Sequence, residues 1–346
     1  MNAKVGINGF GRIGRIVTRL LSSDSQITPV FVNDLDPDIK NLAYLYNYDS
    51  NYGQPDHPAK VISESEFEIN ELGMRASSER SISCVPWEEA DVDLIVDSSG
   101  VTNNVKESHK IIEEKRAKHI IITHSPDEYC DKTIIPGVNC NTFDPNTDKV
   151  ISSSICDANA ISHVLLHMDE EFGIESGFIT SLHPWLSYQN LVDASVGSVS
   201  NPGHFWDDYS LGRSSMGALI PKRTSLIPAI LKVCPQFESK LDAISYRIPT
   251  PVVTSADLTL TLKQDLDIDE LSESLEKLAS GNPYLSLNEE SLVSVDYKGN
   301  PSSAIIDLQW LRVLNNRTVK IVLWYDNEWG YCRRVVDLIK LIANST

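Results

Sequence analysis

The sequence predicts an α/β protein with a doubly wound parallel sheet, followed by a second unit of mixed α+β structure. Apolar strand patterns alternate with helical patterns through residues 1–154, and a GxGxxG turn follows the first of these strands. After residue 155 the strands no longer alternate regularly with helices, which is typical of a mixed sheet. A chain of 346 residues can bury one or two ordinary cores, so two domains are expected.

The first turn of the chain has the pattern of a Rossmann dinucleotide-binding site. A short apolar strand over residues 4–8 runs directly into Gly9-Phe10-Gly11-Arg12-Ile13-Gly14, and apolar residues at helical spacing follow. Glycines at these positions let the backbone approach a pyrophosphate at the helix N-terminus. The alternative, a tight turn without a ligand, has little support in this strand-to-helix context.

An acidic residue at the end of the second strand favours NAD over NADP. Residues 29–33 form the strand pattern, and Asp34 follows Gly14 by about 20 residues. A carboxylate at this place accepts hydrogen bonds from ribose hydroxyls and repels a 2′-phosphate. We therefore expect NAD as the cofactor.

The alternation continues to about residue 150. Helices are expected at 39–46 and 104–116, buried parallel strands at 94–97 and 119–123, and a hairpin across 66–72 and 81–85. Ligands bind outside the carboxyl ends of such strands, so residues from several turns should open onto one cleft. These residues are Gly9, Asp34, Ser99, Thr123 and Cys156.

Cys156 stands where a strand meets a helix. Residues 149–151 form the strand entry, and the apolar residues after Cys156 fall at helical spacing. The free N–H groups and the positive dipole end of that helix favour a thiolate, which makes Cys156 a candidate nucleophile. The alternative is a small buried hydrophobic residue, as most free cysteines are.

The second unit begins with a strand of period two over residues 176–182, which ends at His183. About thirty residues rich in Ser, Gly and Pro follow, and a loop of that length is usually functional or interfacial. Further strands are expected at 243–248, 255–263, 304–308 and 318–324, with helices at 268–278 and 331–343. The last helix is amphipathic and is expected to pack back on the first domain.

The composition disfavours several classes of partner. A formal charge of -18 repels nucleic acid and anionic lipid. The chain shows no charged-then-apolar leader and no apolar run near the roughly 18 residues of a membrane span, so neither secretion nor insertion is expected. Its 6 cysteines lack CxxC spacing and are expected to be reduced thiols in a cytoplasm.

One pair of histidines superficially resembles a metal-binding face. His163 and His167 are spaced i, i+4 on the predicted helix. The glutamate of an HExxH motif is lacking and no third ligand is placed, so solvated or core histidines are the better interpretation. No metal site is expected from the sequence.

Seven segments resemble, in order, those of the glyceraldehyde-3-phosphate dehydrogenase family. They are KVGINGFGRIGR (4–15), VND (32–34), YDS (48–50), SGV (99–101), GVN (137–139), RIPTP (247–251) and WYDNEWGY (324–331). The resemblance spans the whole chain. It implies an NAD-binding Rossmann domain over 1–154, joined by a C-terminal helix over 327–346, and a catalytic domain over 155–326, assembled as a homotetramer.

The resemblance also implies roles for individual residues. Cys156 matches the nucleophile of the family, and His183 matches its base. The substrate positions are Asn159, Arg213, Thr224 and Arg247, with Asp157 in place of a hydroxyl residue. The cofactor positions are Asn8, Gly9, Phe10, Gly11, Arg12, Ile13, Gly14, Asp34, Ser99, Gly100, Thr123, Asn327 and Tyr331.

The chemistry implied is oxidation of a small-molecule aldehyde. A thiolate adds to the carbonyl, and the thiohemiacetal then gives hydride to NAD and becomes a thioester. An imidazole at His183 raises the thiolate population and takes the hydroxyl proton, while the Cys156 amide and His183 are candidates to stabilise the oxyanion. Without the resemblance, His183 would be interpreted as a buried core histidine.

The sequence departs from the family where phosphate is bound. The family's Cys-Thr-Thr-Asn-Cys is CDANA over 156–160, and Leu186, Tyr188 and Leu211 occupy the positions of two threonines and an arginine. Phosphate sites are built from charge-assisted donors, so phosphorolysis is expected to be weakened. The thioester would then pass to water or another acceptor, with Asp157 as a candidate base that also raises the pKa of the neighbouring thiol.

Three functions remain open on the sequence alone. The first is NAD-dependent oxidation of glyceraldehyde 3-phosphate or a related sugar aldehyde, since residues 174–177 and 235–237 resemble erythrose-4-phosphate dehydrogenase of the same family. The second is a divergent dehydrogenase for an unphosphorylated aldehyde. The third is a non-catalytic NAD-binding protein. It is disfavoured by the joint presence of four residues, Cys156, Asn159, His183 and Asn327.

Overall fold

The computed structural model describes residues 3–345 and contains two β-sheets with helices packed on them. The strands of the first sheet are β1 (Ala3–Asn8), β2 (Ile27–Asn33), β3 (Lys60–Ser63), β4 (Glu66–Ile69), β5 (Leu72–Ser77), β6 (Leu94–Asp97), β7 (His119–Ile122), β8 (Lys132–Thr133) and β9 (Val150–Ser152). Those of the second are β10 (Ile174–Pro184), β11 (Ile220–Lys222), β12 (Leu241–Ile248), β13 (Thr254–Leu262), β14 (Leu285–Asn288), β15 (Ala304–Leu314) and β16 (Thr318–Tyr325). The α-helices are α1 (Arg12–Leu21), α2 (Ile39–Asn47), α3 (Thr102–Glu113), α4 (Cys156–Phe172), α5 (Leu226–Leu231), α6 (Ile268–Ser280) and α7 (Trp329–Ser345).

The first sheet is doubly wound around β1, in the order β3-β4-β5-β2-β1-β6-β7-β9-β8. Pairing is parallel from β5 across to β8, and β3 with β4 adds an antiparallel extension. Strands β6 and β7 are short apolar runs that are buried along their whole length, as parallel strands covered on both faces must be. Later strands are added on opposite sides of β1, so the strand order switches there, and the ligand crevice is expected at the carboxyl end of that strand. The predicted α/β class is confirmed.

The second sheet is mixed, in the order β11-β12-β10-β13-β16-β15-β14. Strand β10 pairs parallel with β12 and antiparallel with β13, and its side chains alternate between two faces. The face with Ile179 and His183 is buried beneath a core that includes residues of α4, α5 and α6, whereas Phe178 on the other face is exposed. The expected mixed α+β architecture is confirmed.

The last helix packs against the first sheet unit. Val335, Val336 and Ile339 of α7 share a hydrophobic cluster with Ile16 and Val17 of α1. Cys156 is packed against both this cluster and the cluster of the second sheet, so α4 begins where the two cores meet. Within residues 3–345, no helix combines the length and apolar character needed to cross a membrane.

Two local predictions are wrong. Residues 81–85 do not form a hairpin strand but contain a 3₁₀ helix, Ile82–Cys84, because the Ser81 hydroxyl accepts a hydrogen bond from the Ser83 amide at 3.2 Å. The hairpin is formed by β4 and β5 instead. Strand β15 also runs well past the expected 304–308, with an irregularity in its pairing after Asp307 that hides its alternation from the sequence.

Candidate active site

The glycine-rich turn fits tightly on one side and is open on the other. Gly9 has φ +89°, and a Cβ there would lie 2.7 Å from the Ser99 amide nitrogen, while a Cβ on Gly14 would lie 2.1 Å from the Gly9 carbonyl oxygen. A Cβ on Gly11 would meet nothing within 4 Å. Gly9 and Gly14 are therefore required by packing, whereas Gly11 leaves room at the N-terminus of α1.

Asp34 is bound to the glycine-rich turn. Its Oδ2 accepts a hydrogen bond from the Phe10 amide at 2.6 Å, and its Oδ1 accepts one from the Asp36 amide at 3.0 Å. The Phe10 ring is 2% exposed and packs against Tyr46 and Phe67, so only its backbone faces the turn. Asp34 remains half-buried at the carboxyl end of β2, with acceptor capacity left for ribose hydroxyls.

A buried aspartate that the sequence analysis missed connects several predicted cofactor residues. Asp97 Oδ1 accepts hydrogen bonds from Asn8 Nδ2 at 2.9 Å and from the Ser99 amide at 3.1 Å, and its carbonyl accepts one from Thr123 Oγ1 at 3.1 Å. Burial raises the pKa of Asp97. Gly100 follows with φ +73°. Asp97 thus shapes the carboxyl ends of three neighbouring strands, and its place at the end of a buried run was the available signal.

The other predicted cofactor residues bridge distant parts of the chain. Arg12 donates to Glu328 with Nε 3.0 Å from Oε1, and it also pairs with Asp49. Asn327 is buried, and its Oδ1 accepts a hydrogen bond from the Val253 amide at 3.0 Å. The Tyr331 hydroxyl lies 2.7 Å from Ser153 Oγ and donates to the Ser154 carbonyl at 3.1 Å. Ile13 packs against the hydrophobic cluster that α1 and α7 share. Arg12 and Tyr331 therefore hold the turn and the end of β9 in place.

Cys156 is the first residue of α4 and follows a strained turn. Ser154 has φ +61°, and Asn159 holds the turn by donating its Nδ2 to the carbonyls of Ser153 at 2.9 Å and Ile155 at 3.0 Å. Asn159 is 2% exposed. Its Nδ2 therefore holds the backbone that presents Cys156, while its buried Oδ1 has no hydrogen-bond partner among the described residues and is left for the substrate role that the resemblance implies.

Three side chains meet at the start of α4. The Cys156 thiol donates to Asp157 Oδ1 at 3.4 Å, and its Sγ lies 3.6 Å from His183 Nε2. His183 Nδ1 lies 2.8 Å from the Pro184 carbonyl, which can only accept, so Nδ1 carries a proton and Nε2 offers a lone pair in the neutral ring. Tyr325, which the sequence analysis also missed, donates its hydroxyl to Asp157 Oδ1 at 2.7 Å.

Burial decides the protonation of this group. Burial, followed by the Asp157 carboxylate, raises the pKa of the Cys156 thiol well above its ordinary value, and Arg247 opposes this only in part. This direction agrees with the expectation that Asp157 raises the pKa of the thiol, and it opposes the effect expected of the helix N-terminus. Burial, followed by Arg247, lowers the pKa of His183 to about 4. At neutral pH the pair is a thiol and a neutral imidazole.

Two cationic side chains face the same group. Arg247 lies beside His183 in the pairing of β12 with β10, is 7% exposed, and forms no salt bridge with the described residues. Its Nε lacks a hydrogen-bond partner among them, and Nη2 donates to Tyr188 at 3.4 Å. Lys222, on β11, stands two residues along the same face, and burial and then Arg247 lower its pKa. Lys222 could not be predicted from the sequence, because the register of so short a strand has no visible period.

The other two predicted substrate donors have local partners. Arg213 is exposed in the long loop and pairs with Asp193, with Nε 2.9 Å from Oδ2. The Thr224 hydroxyl accepts a hydrogen bond from the Leu226 amide at 3.1 Å, just before the short helix α5. Of the three predicted donors, Arg247 is the one that stands beside His183.

His163 and His167 have separate structural contacts. His163 Nδ1 accepts a hydrogen bond from Asn282 Nδ2 at 3.2 Å and its ring packs on Tyr284, while His167 Nε2 lies 2.7 Å from Ser274 Oγ. Each ring has its own structural partners. The interpretation of both as packed histidines fits these contacts.

Family models match both parts of the chain. The NAD binding domain of glyceraldehyde 3-phosphate dehydrogenase matches residues 3–105, and the C-terminal domain of the same enzyme matches residues 155–327. The cofactor prediction is thereby confirmed as NAD.

Curated relatives match almost end to end. The glyceraldehyde-3-phosphate dehydrogenase 2 of Bacillus subtilis (strain 168) is 37% identical over 345 residues, covering 99% of this chain and 97% of the relative. The enzyme of Geobacillus stearothermophilus is 35% identical over 346 residues, covering 99% of each, and a chloroplastic one of Arabidopsis thaliana is 36% identical over 343 residues, covering 98% of this chain and 78% of the relative. With both domains matched and such identity over nearly its whole length, this NAD-dependent oxidoreductase belongs to the glyceraldehyde-3-phosphate dehydrogenase family.

Proposed function

We propose that the protein oxidises an aldehyde with NAD through a thiohemiacetal and a thioester on Cys156. The observation that carries the proposal is the pair at the start of α4, where Cys156 Sγ lies 3.6 Å from the lone pair of His183 Nε2. A thiol beside an imidazole whose other nitrogen is held by a carbonyl is the arrangement of an activated nucleophile.

His183 moves the protons in this scheme. Neutral at pH 7, its Nε2 takes the thiol proton as Sγ adds to the aldehyde carbon, and passes that proton to the carbonyl oxygen of the substrate. When the hydride leaves the carbon, Nε2 takes the hydroxyl proton and the thioester carbonyl forms. NAD, when bound, accepts the hydride.

The residues of the first sheet fit NAD. Gly11 leaves room at the N-terminus of α1 for a pyrophosphate, and half-buried Asp34 is held where ribose hydroxyls can donate to it. Tyr331 bonds to Ser153, three residues before Cys156, and buried Asn327 accepts a hydrogen bond from the Val253 amide. We assign these residues to the cofactor site.

The substrate is proposed to be anionic. Arg247 is a buried cation without a carboxylate partner among the described residues, and Lys222 adds a second cation close by. Leaving such charges unpaired is costly, so a phosphate group of the substrate is the fitting partner. The relatives are named for glyceraldehyde 3-phosphate, and we propose this compound or a related phosphorylated sugar aldehyde as the substrate.

Water is proposed to compete with phosphate for the thioester. Asp157 stands where the family has a hydroxyl, is 5% exposed, and lies 3.4 Å from Sγ, so it repels inorganic phosphate and can accept a proton from a water near the thioester carbon.

The test is NAD reduction on a panel of phosphorylated and unphosphorylated aldehydes, with and without inorganic phosphate. We expect reduction without phosphate and a free acid as product. Strict dependence on phosphate with an acyl phosphate product would overturn the proposal that water accepts the acyl group. Preference for unphosphorylated aldehydes would favour the divergent dehydrogenase. Tight NAD binding with no reduction on any aldehyde would identify a non-catalytic protein.

We further propose a homotetramer in the cytoplasm, with an NAD-binding domain over 1–154 joined by 327–346 and a catalytic domain over 155–326. The outer face of the second sheet supports assembly, because Phe178, Leu182 and Ile244 are large apolar side chains exposed on adjacent strands. All six cysteines are free, which suits a reducing compartment. Light scattering after size-exclusion chromatography tests the oligomer, and a monomer mass would contradict it.

A further inference from the structure

The group at the start of α4 is also a set of metal-ligand atoms. Among the described residues, Cys156, Asp157 and His183 each offer one ligand atom, and these atoms lie within 4.8 Å of one another. Cysteine, histidine and carboxylate are the side chains that bind zinc, and three protein ligands with one open position are typical of an accessible zinc site. The carboxylate is the departure of this chain from its family, so the third ligand is specific to it.

The spacing of the atoms suits tetrahedral zinc. Sγ lies 3.4 Å from Asp157 Oδ1 and 3.6 Å from His183 Nε2. A Zn–S bond of about 2.3 Å and a Zn–N or Zn–O bond of about 2.0–2.1 Å at a tetrahedral angle place the ligand atoms about 3.4–3.6 Å apart. Two of the three separations therefore match tetrahedral zinc, and the third, within 4.8 Å, can be closed by a small turn of the His183 or Asp157 side chain.

Outer partners already orient two of the ligands. His183 Nδ1 donates to the Pro184 carbonyl at 2.8 Å, which leaves Nε2 as the ligand atom and fixes the ring. The Tyr325 hydroxyl donates to Asp157 Oδ1 at 2.7 Å and holds the carboxylate toward the thiol. A histidine bonded to a carbonyl and a hydrogen-bonded carboxylate are the outer contacts that zinc ligands ordinarily have.

We propose that Cys156, Asp157 and His183 form a reversible inhibitory site for Zn²⁺. On binding, the S–H bond breaks, the proton goes to solvent, and a Zn–S bond forms, while Oδ1 and Nε2 supply lone pairs and no electrons are transferred. The thiolate and the carboxylate together balance the two charges of the metal. Arg247 and Lys222 oppose entry of a cation but favour a small anion in the fourth position.

Inhibition follows from the atoms that the metal takes. Zinc occupies both Sγ and Nε2, so neither addition to an aldehyde nor proton transfer can occur while it is bound. This consequence rests on the proposed function, whereas metal binding itself does not.

The test uses the full-length protein, Co²⁺ as a spectroscopic probe and Zn²⁺ as its competitor. We expect one Co²⁺ per chain with a thiolate-to-cobalt charge-transfer band, displaced by one equivalent of Zn²⁺. The variant Asp157→Thr keeps the thiol and the imidazole, and we expect it to weaken Zn²⁺ binding at least about tenfold, because loss of even an outer partner costs 10–100-fold. The matched control is Cys84→Ser, which removes an exposed thiol outside the set and should leave the affinity unchanged.

A Co²⁺ complex without the thiolate band, or equal Zn²⁺ affinity in Asp157→Thr, would overturn the proposal. If Asp157→Thr does not fold, Tyr325→Phe serves instead, with an expected loss of about 10–100-fold and the same refuting result. If the cobalt band forms but none of the aldehydes tested supports NAD reduction, the metal site is retained and the proposed function is rejected. Aldehyde-dependent NAD reduction that Zn²⁺ does not inhibit would keep the function and reject the inhibitory role.

Discussion

Replacing Arg247 with methionine should separate phosphorylated from unphosphorylated aldehydes. Arg247 is 7% exposed, stands beside His183 in the sheet, and forms no salt bridge with the described residues. Methionine keeps much of the buried stem but removes the charge. A phosphorylated aldehyde would then lose the hydrogen-bond donor best placed for its phosphate group. An unphosphorylated aldehyde would lose no such contact.

The magnitude follows from the kind of contact. A hydrogen bond to a charged group contributes about 1.5–3 kcal/mol, which corresponds to a factor of about 10–150 in kcat/KM. Arg247 also lowers the pKa of Cys156 and of His183, so some rate is lost with every aldehyde. The measured quantity is therefore the ratio of kcat/KM for glyceraldehyde 3-phosphate to that for glyceraldehyde, which should fall by about 10–150-fold in Arg247→Met.

The assay is NAD reduction at saturating cofactor, with circular dichroism and NAD binding as checks of folding. Arg213→Met is the matched control, because Arg213 is an exposed arginine paired with Asp193, and its ratio should change less than about threefold. An unchanged ratio in Arg247→Met would refute the reasoning. So would an equal loss in Arg213→Met, since it would place the substrate phosphate at the long loop.

Three further results are expected. Asp157→Asn should lower the pKa of the Cys156 thiol, because a buried like charge is removed, and iodoacetamide alkylation should accelerate at neutral pH; an unchanged rate profile would contradict the coupling. Gly14→Ala should lower the urea midpoint, since the new Cβ would lie 2.1 Å from a backbone oxygen. Gly11→Ala should leave the urea midpoint unchanged and weaken NAD binding. Equal changes of the midpoint in the two variants would contradict this. Burial lowers the pKa of His163 to about 4, so the unfolded chain binds the proton more readily and the protein should lose roughly 2–3 kcal/mol of stability as pH falls from 7 to 4.5; urea titrations at the two pH values should show a smaller loss in His163→Gln, and an equal loss would contradict this.

The sequence located the residues whose position depends on local pattern. The glycine-rich turn, the start of α4 at Cys156 and the histidine near the end of β10 each follow from a strand that meets a turn, and the structure places all three as expected. The alternation of elements predicted a doubly wound parallel sheet, which the first sheet is, but it did not predict the order of the strands. Such features need only a few consecutive residues to be recognised.

The sequence missed the residues that reach the site through tertiary contacts. Tyr325 and Lys222 are brought near Asp157 by the register of strands far apart in the chain, and no local pattern carries that register. The pKa of Cys156 was predicted only in part. The helix N-terminus and the Asp157 carboxylate are both visible in the sequence, but the desolvation that adds to the carboxylate depends on the two cores that meet at the thiol.

Asp157 distinguishes the candidate site, because one carboxylate lies beside the thiol and, in the functions proposed above, also meets phosphate and a metal ion. Beside Sγ it raises the pKa of the Cys156 thiol, which in the proposed mechanism should slow the first step of oxidation. A slower first step is offset when the Asp157 carboxylate also directs water at the thioester, since release of the acyl group then does not need phosphate. The orientation of the carboxylate depends on Tyr325, so Tyr325→Phe should alter hydrolysis of the thioester more than its formation. A burst of NADH followed by slowed turnover in Tyr325→Phe would support this account, and an equal slowing of both phases would reduce Tyr325 to a structural contact.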